Sequence, residues 1–235
     1  MNYLAIDTSG DLLVIVNANG KKTVRNLTGC QTKHSLTLMP YIEEAMEELG
    51  VSLNNLDFFA VVVGPGSFTG IRIGISAVKG LAAPKNIPCC SVSTLGAMAE
   101  CFSDRNCIVC AVMDARCNQF YNALFEIKDG IITRLCDDRA LLSDELKQDI
   151  LNISSDKKII VCGDGADLFY KNVSELKNVH LAPQYQKFQS AVGIGLYAYK
   201  NFDVSNTVTP EQLLPIYLRL PQAERELKAK TEAVK

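Results

Sequence analysis

Two aspartates close apolar runs in this 235-residue chain, Asp7 in "NYLAIDTSG" and Asp114 in "NCIVCAVMDAR". A carboxylate beside hydroxyl and amide donors is the combination that places a metal-bound phosphate. Asp7, Thr8, Ser9 and Gly10 supply such a set. The same residues also make an ordinary turn, because Asp and Ser bond to nearby backbone and glycine bends freely. Asp114-Ala115-Arg116 stands at the matching place but has no glycine, so its backbone is expected to wrap an anion less freely. A second candidate is "GPGSFTGIRIG", Gly64 to Gly74, between an apolar run and a helical pattern. It lacks the Lys-Ser/Thr ending of a P-loop. Ser67 or Thr69 can cap the helix, and the amides that follow can accept an anion. Turn, helix cap and anion site all stay open at this point.

Other chemistries leave no trace. The two histidines, His34 and His180, are far apart, and no H-x-x-x-H pair or G-x-S-x-G elbow occurs. No catalytic residue and no metal ligand is expected. Of nine cysteines, Cys107 and Cys110 spell C-x-x-C, but Ile108 and Val109 between them suit a strand interior rather than a redox turn. Adjacent Cys89 and Cys90 should face opposite sides of a strand. Buried thiols fit a reducing compartment. A net charge of -2 argues against a broad grip on nucleic acid. No signal-like N-terminus and no run of about 20 apolar residues is present, so no membrane contact and a cytoplasmic location are expected.

The elements that position these residues are written twice. "NYLAID", "LLVIVNANG" and "KKTVRNLT" read as a three-stranded meander with an Asn-Gly turn. A helix pattern, the strand "FFAVVV", "GPG", a second helix and the strand "NIPCCSVS" follow. From Asn106 the order restarts with "NCIVCAVMDAR", "FYNALFEI", "KDG" and "IITRLCDD". It continues with the helix "LLSDELKQDILN", the strand "KKIIVC", "GDG" and the strand "NVHLA". This predicts an α/β protein of two lobes, each a mixed sheet with flanking helices. Residues 1–105 form the first lobe, 106–220 the second, and 221–235 a charged tail. Such lobes resemble the ribonuclease H-like lobes of the actin, sugar-kinase and acetate-kinase superfamily. The resemblance implies phosphates near the first hairpin of each lobe. A small-molecule kinase or ATPase is therefore one reading of function.

Between Thr69 and Ala83 the only charges are Arg72 and Lys79, seven residues apart and on nearly one side. A helix apolar nearly all round is expected to be buried nearly all round. Glycine costs a helix about 1 kcal/mol against alanine, so Gly70, Gly74 and Gly80 need a reason. Close approach of another helix is the usual one, and Gly70, Gly74 and Ala77 form a small-residue stripe. The earlier helix spreads Leu38, Met39, Tyr41, Ile42, Ala45, Met46 and Leu49 over a wide apolar arc, which suits an adaptable contact surface. Two well-buried core helices explain the same pattern.

With these segments assembled, the chain resembles the TsaB (YeaZ) family. The matching stretches are "LAIDTS", "KHSLTLMPYIEEAM", "VVVGPGSFTGIRIGISAVKGLA", "VMDARCNQFY", "CGDGA", "LLPIYLR" and "QAERE". The resemblance implies a non-catalytic scaffold that pairs with the catalytic subunit TsaD in threonylcarbamoylation of adenosine 37 in tRNAs reading ANN codons. It also implies TsaE as a third component, a possible homodimer, and tRNA contact only through the complex. No tightly bound cofactor is expected, with ATP used only in the assembled complex. The docking surface it implies comprises His34, Leu38, Met39, Ile42, Met46, Gly70, Ile73, Gly74 and Ala77. Asp7, Thr8, Ser9, Ser67 and Thr69 become vestigial nucleotide or anion contacts. Gly10 departs from the family's usual Thr or Ser and weakens a direct nucleotide role. An older glycoprotease label implies a metallopeptidase, against which the histidine count argues.

Overall fold

A computed structural model describes residues 1–27, 34–153, 156–203 and 206–219. The first half runs β1 (Tyr3–Asp7), β2 (Leu12–Ala18), β3 (Lys21–Leu27), α1 (His34–Glu48), β4 (Phe58–Gly64), α2 (Phe68–Ala82), β5 (Cys89–Ser93) and α3 (Thr94–Glu100). The second half begins with β6 (Cys107–Asp114), β7 (Gln119–Lys128), β8 (Ile131–Arg134), β9 (Arg139–Leu142) and α4 (Ser143–Leu151). It ends with β10 (Ile159–Cys162), α5 (Ala166–Tyr170), β11 (Val179–Leu181) and α6 (Ala191–Asn201).

The sheet orders are β3-β2-β1-β4-β5 and β8-β7-β6-β10-β11, the same topology twice. In each, the first strand pairs antiparallel with the second and parallel with the strand after the helix. Both hairpins turn on two residues of positive φ, Asn19-Gly20 and Asp129-Gly130. That is the chemistry of a type I′ turn, which matches the twist of paired strands. β9 is an addition to the expected order. The ten-residue β7 pairs with β9 along its first part and β8 along its last, so Leu141 and Leu142 belong to a strand rather than to α4.

The layers cross the expected lobe boundary. The two sheets do divide between β5 and β6, but the helices between them are exchanged. α3 lays Leu95, Met98 and Ala99 on the second sheet, while α6 lays Ala191, Ile194 and Ala198 on the first. Glycines let these two helices meet: a Cβ at Gly96 would stand 2.4 Å from the Tyr197 ring, and one at Gly193 would stand 2.4 Å from the Ala97 carbonyl. Residues 206–219 also return to the first sheet, where Val208 bridges Cys89 and the Ile216 amide donates to Val63 O at 2.9 Å. The second lobe therefore ends earlier than residue 220. The expected tail, 221–235, lies outside the described residues.

The outer faces are covered by α1 and α2 on the first sheet and by α4 and α5 on the second. Cys89 and Cys90 enter the cores on opposite faces of the first sheet, and Cys107 and Cys110 do the same in the second. The C-x-x-C spacing thus belongs to a strand interior. No helix among the described residues is long and apolar enough to cross a membrane.

Candidate functional site

The first hairpin and the glycine loop close on each other. Asp7 is 1% exposed and accepts the Ser9 amide at 2.6 Å. Burial pushes its carboxyl up to about 6, against the lowering effect of its hydrogen bonding with Ser9. The Thr8 hydroxyl donates to Gly70 O at 2.6 Å, and the Ser67 amide donates to Ser9 O at 2.7 Å. Ser67 is the N-cap of α2, its Oγ accepting from the Gly70 amide at 3.2 Å. The Ile71 amide returns to Ser67 O at 2.9 Å. The amides of Ser67, Gly70 and Ile71 are thus spent inside the fold. The structure brings Asp7, Thr8, Ser9 and Ser67 together. Thr69 does not join them, because it is exposed on the outer side of α2.

The second hairpin differs in detail. Arg116, Cys117 and Asn118 all take positive φ, at 65°, 55° and 55°, so the turn is left-handed without any glycine. The turn is held from several sides: Asp114 accepts the Arg116 amide at 2.7 Å, and Asn118 O accepts the Ser143 amide at 3.1 Å. The Arg219 guanidinium donates to the carbonyls of Ala115 and Arg116. Each such residue costs on the order of 1–2 kcal/mol, which these bonds offset. Asp164 accepts the Asp114 amide at 3.1 Å, and burial pushes the Asp164 carboxyl up. Among the described residues no group of three or more His, Cys, Asp or Glu side chains is placed to hold a metal ion.

The outer face of α1 and α2 is where the apolar surplus surfaces. Leu38, Ile42 and Met46 are buried, at 2%, 2% and 7% exposure, so they belong first to the core. Gly70 and Gly74 are buried too, against Thr8 of their own lobe. These two glycines therefore do not serve a docking helix: the close neighbour that requires them is the exit of β1. The α2 helix is not buried all round either, since Thr69, Arg72, Ser76 and Gly80 are exposed. What remains at the surface is Met39, half-buried Ile73 and Ala77, and His34 at the first position of α1. Leu36, unforeseen, is 69% exposed beside them in the chain. Between the helices runs a groove of about 620 Å³, floored by Leu38, Ile73 and Ala77 and walled by Met39 and Phe68. A second groove of about 700 Å³ continues past Ile42, Met46 and Leu81, with Glu43 and Glu47 at its edge.

Phe68 and Tyr217 of this face escaped the sequence reading, which singled out Arg72 only as one of the two charges of α2. The Phe68 and Tyr217 rings stack at 4.6 Å, the Arg72 guanidinium lies 3.9 Å from the Phe68 centroid, and Arg72 Nε donates to the Tyr217 hydroxyl at 2.8 Å. Lys79 Nζ reaches Glu211 O at 3.1 Å. The two charges of α2 do share a side, and both fasten the segment 206–219. Their spacing was the available signal, but their target lies more than a hundred residues downstream.

A family model described as "TsaD: tRNA N6-adenosine threonylcarbamoyltransferase" matches residues 28–214. The chain belongs to this family. Within it, the chain is similar to TsaB proteins along nearly its full length. It is 27% identical to "tRNA threonylcarbamoyladenosine biosynthesis protein TsaB" of Bacillus subtilis, over 95% of this chain and 96% of that protein. The Escherichia coli protein of the same name is 28% identical over 98% and 100%. The TsaB (YeaZ) resemblance read from the motifs is thereby borne out. The fold agrees with a Pseudomonas aeruginosa crystal structure described as similar to peptidase YeaZ, at a TM-score of 0.76 and 24% identity, covering 93% of this chain and 99% of that one.

Proposed function

We propose that this chain is the non-catalytic docking subunit in tRNA threonylcarbamoyladenosine biosynthesis, pairing through α1 and α2 with the catalytic TsaD chain. The observation that carries this reading is the open groove between α1 and α2. Its floor is continuous with the core, and a matching helix pair would extend that core outward. The family match and the TsaB relatives supply the pathway: threonylcarbamoylation of adenosine in tRNA, which this subunit meets through the complex. TsaE joins the assembly, ATP is used there, no cofactor stays tightly bound to the isolated chain, and the work is cytoplasmic. A homodimer through the same groove is the free-state counterpart.

The kinase or ATPase alternative has less support, because the loop amides and the Thr8 hydroxyl are already engaged within the fold. A peptidase reading has less still, since the matching family is described as a transferase.

Calorimetry of the full chain with its cognate TsaD tests the proposal. Met39→Lys places a charge in the groove at a position 37% exposed, where the fold tolerates it. Binding is expected to weaken at least about tenfold, the range of a hot-spot truncation. Unchanged binding would show that this face is not the interface.

A further inference from the structure

Among the described residues Arg72 is the single charged side chain lining the α1–α2 groove. Its guanidinium is fixed from two directions: the Phe68 ring packs beneath it at 3.9 Å, and Tyr217 takes its Nε at 2.8 Å. Tyr217 is itself held, stacked on Phe68 and carried by a segment whose Ile216 amide bonds Val63 O at 2.9 Å. Among the described residues Arg72 makes no salt bridge. Among the described residues Nη1 and Nη2 are left as a planar fork at the mouth of a mainly apolar groove, with the hydroxyls of Ser35, Thr69 and Ser76 at its lining. That fork matches a carboxylate, and its orientation is settled before any partner arrives.

We infer that Arg72 receives a carboxylate from the TsaD chain, an Asp or Glu set among apolar side chains on the element that enters the groove. This rests on the docking reading above and specifies its chemistry. Closing an apolar surface over a fixed guanidinium without an acid would strand a desolvated charge, which costs more than the contact returns. A partner with that acid gains a charge-assisted, two-pronged hydrogen bond, and one without it, a second copy of this chain included, binds the same groove more weakly. Tyr217 acts as a positioning residue, so the C-terminal segment helps set the specificity of a face built mainly by two helices. A second copy of this chain offers Glu43 and Glu47 beside its own second groove, where both are exposed. We assign the pairing to TsaD because the acid has to stand within the apolar patch, not along its rim.

The test is titration of the full chain with its cognate TsaD at low and high salt. Arg72→Gln is expected to weaken binding by about thirtyfold or more, the scale for losing one side of a buried charge pair, and to abolish most of the salt dependence. Arg72→Lys recovers part of the loss, because it keeps charge but not the fork. Tyr217→Phe weakens binding severalfold with the thermal midpoint unchanged. Arg72→Gln within about twofold of the parent, beside a damaging Met39→Lys, overturns the carboxylate and leaves the docking face standing. If both variants bind normally, the docking face falls and this inference falls with it. If Arg72→Gln alters only self-association of the chain, the acid belongs to a second copy and the assignment to TsaD is wrong.

Discussion

Gly70 and Thr8 touch at backbone distance. The Thr8 hydroxyl donates to Gly70 O at 2.6 Å, and a Cβ on Gly70 would lie 1.8 Å from the Thr8 carbonyl oxygen. One turn further along α2, a Cβ on Gly74 would lie 2.5 Å from Thr8 Oγ1. The glycines of "GPGSFTGIRIG" seat α2 on the exit of the first strand.

Gly70→Ala and Gly74→Ala are therefore expected to destabilise the fold by about 1–3 kcal/mol or more, the cost of overpacking a rigid contact. Gly80, in the same helix but with open space around its Cα, is the control. Gly80→Ala is expected to stabilise by up to about 1 kcal/mol through helix propensity. Urea denaturation separates the three. A Gly70→Ala protein as stable as the parent would contradict the packing described.

Asp7 should give the stability profile a specific slope. Burial raises its folded-state pKa from 3.8 to about 6, so the folded chain holds this proton more tightly than the unfolded one. The associated stabilisation is complete below about pH 4 and is lost as pH rises through about 6. With 1.36 kcal/mol per unit, the whole change is roughly 2–3 kcal/mol. Asp7→Asn keeps an acceptor for the Ser9 amide and removes the charge. Its thermal midpoint should exceed that of the parent at pH 7 and converge with it near pH 4. Parallel pH profiles for the two proteins would refute this.

The thiols should divide by exposure. Cys117 is exposed on the left-handed turn, whereas Cys110 and Cys162 are buried and their thiols are pushed up by desolvation. A brief pulse of maleimide on the native protein, followed by peptide mass mapping, is expected to label Cys117 and spare Cys110 and Cys162. Equal labelling of all three would mean that the second sheet opens more readily than its packing implies.

The repeated order of elements, a cap for α2 at Ser67 or Thr69, the strand thiols and the family resemblance were all legible in the sequence. All of these follow from local causes: turn chemistry at Asn19-Gly20 and Asp129-Gly130, the period of apolar residues, and motif spelling. Only the tertiary structure decided which side of each helix faces the core. Leu38, Ile42, Met46, Gly70 and Gly74 read as one apolar surface, yet strand β1 claims the glycines and the sheet claims the leucine, isoleucine and methionine. It also decided that α3 and α6 change places between the sheets and that Tyr217 and Arg219 tie α2 to the turn of the second hairpin. Those outcomes rest on contacts between residues far apart in the chain, where side-chain volume and backbone proximity act and no short pattern records them. The glycine stripe of α2 is a seat for the helix, and the docking surface we propose is the narrower groove beside it.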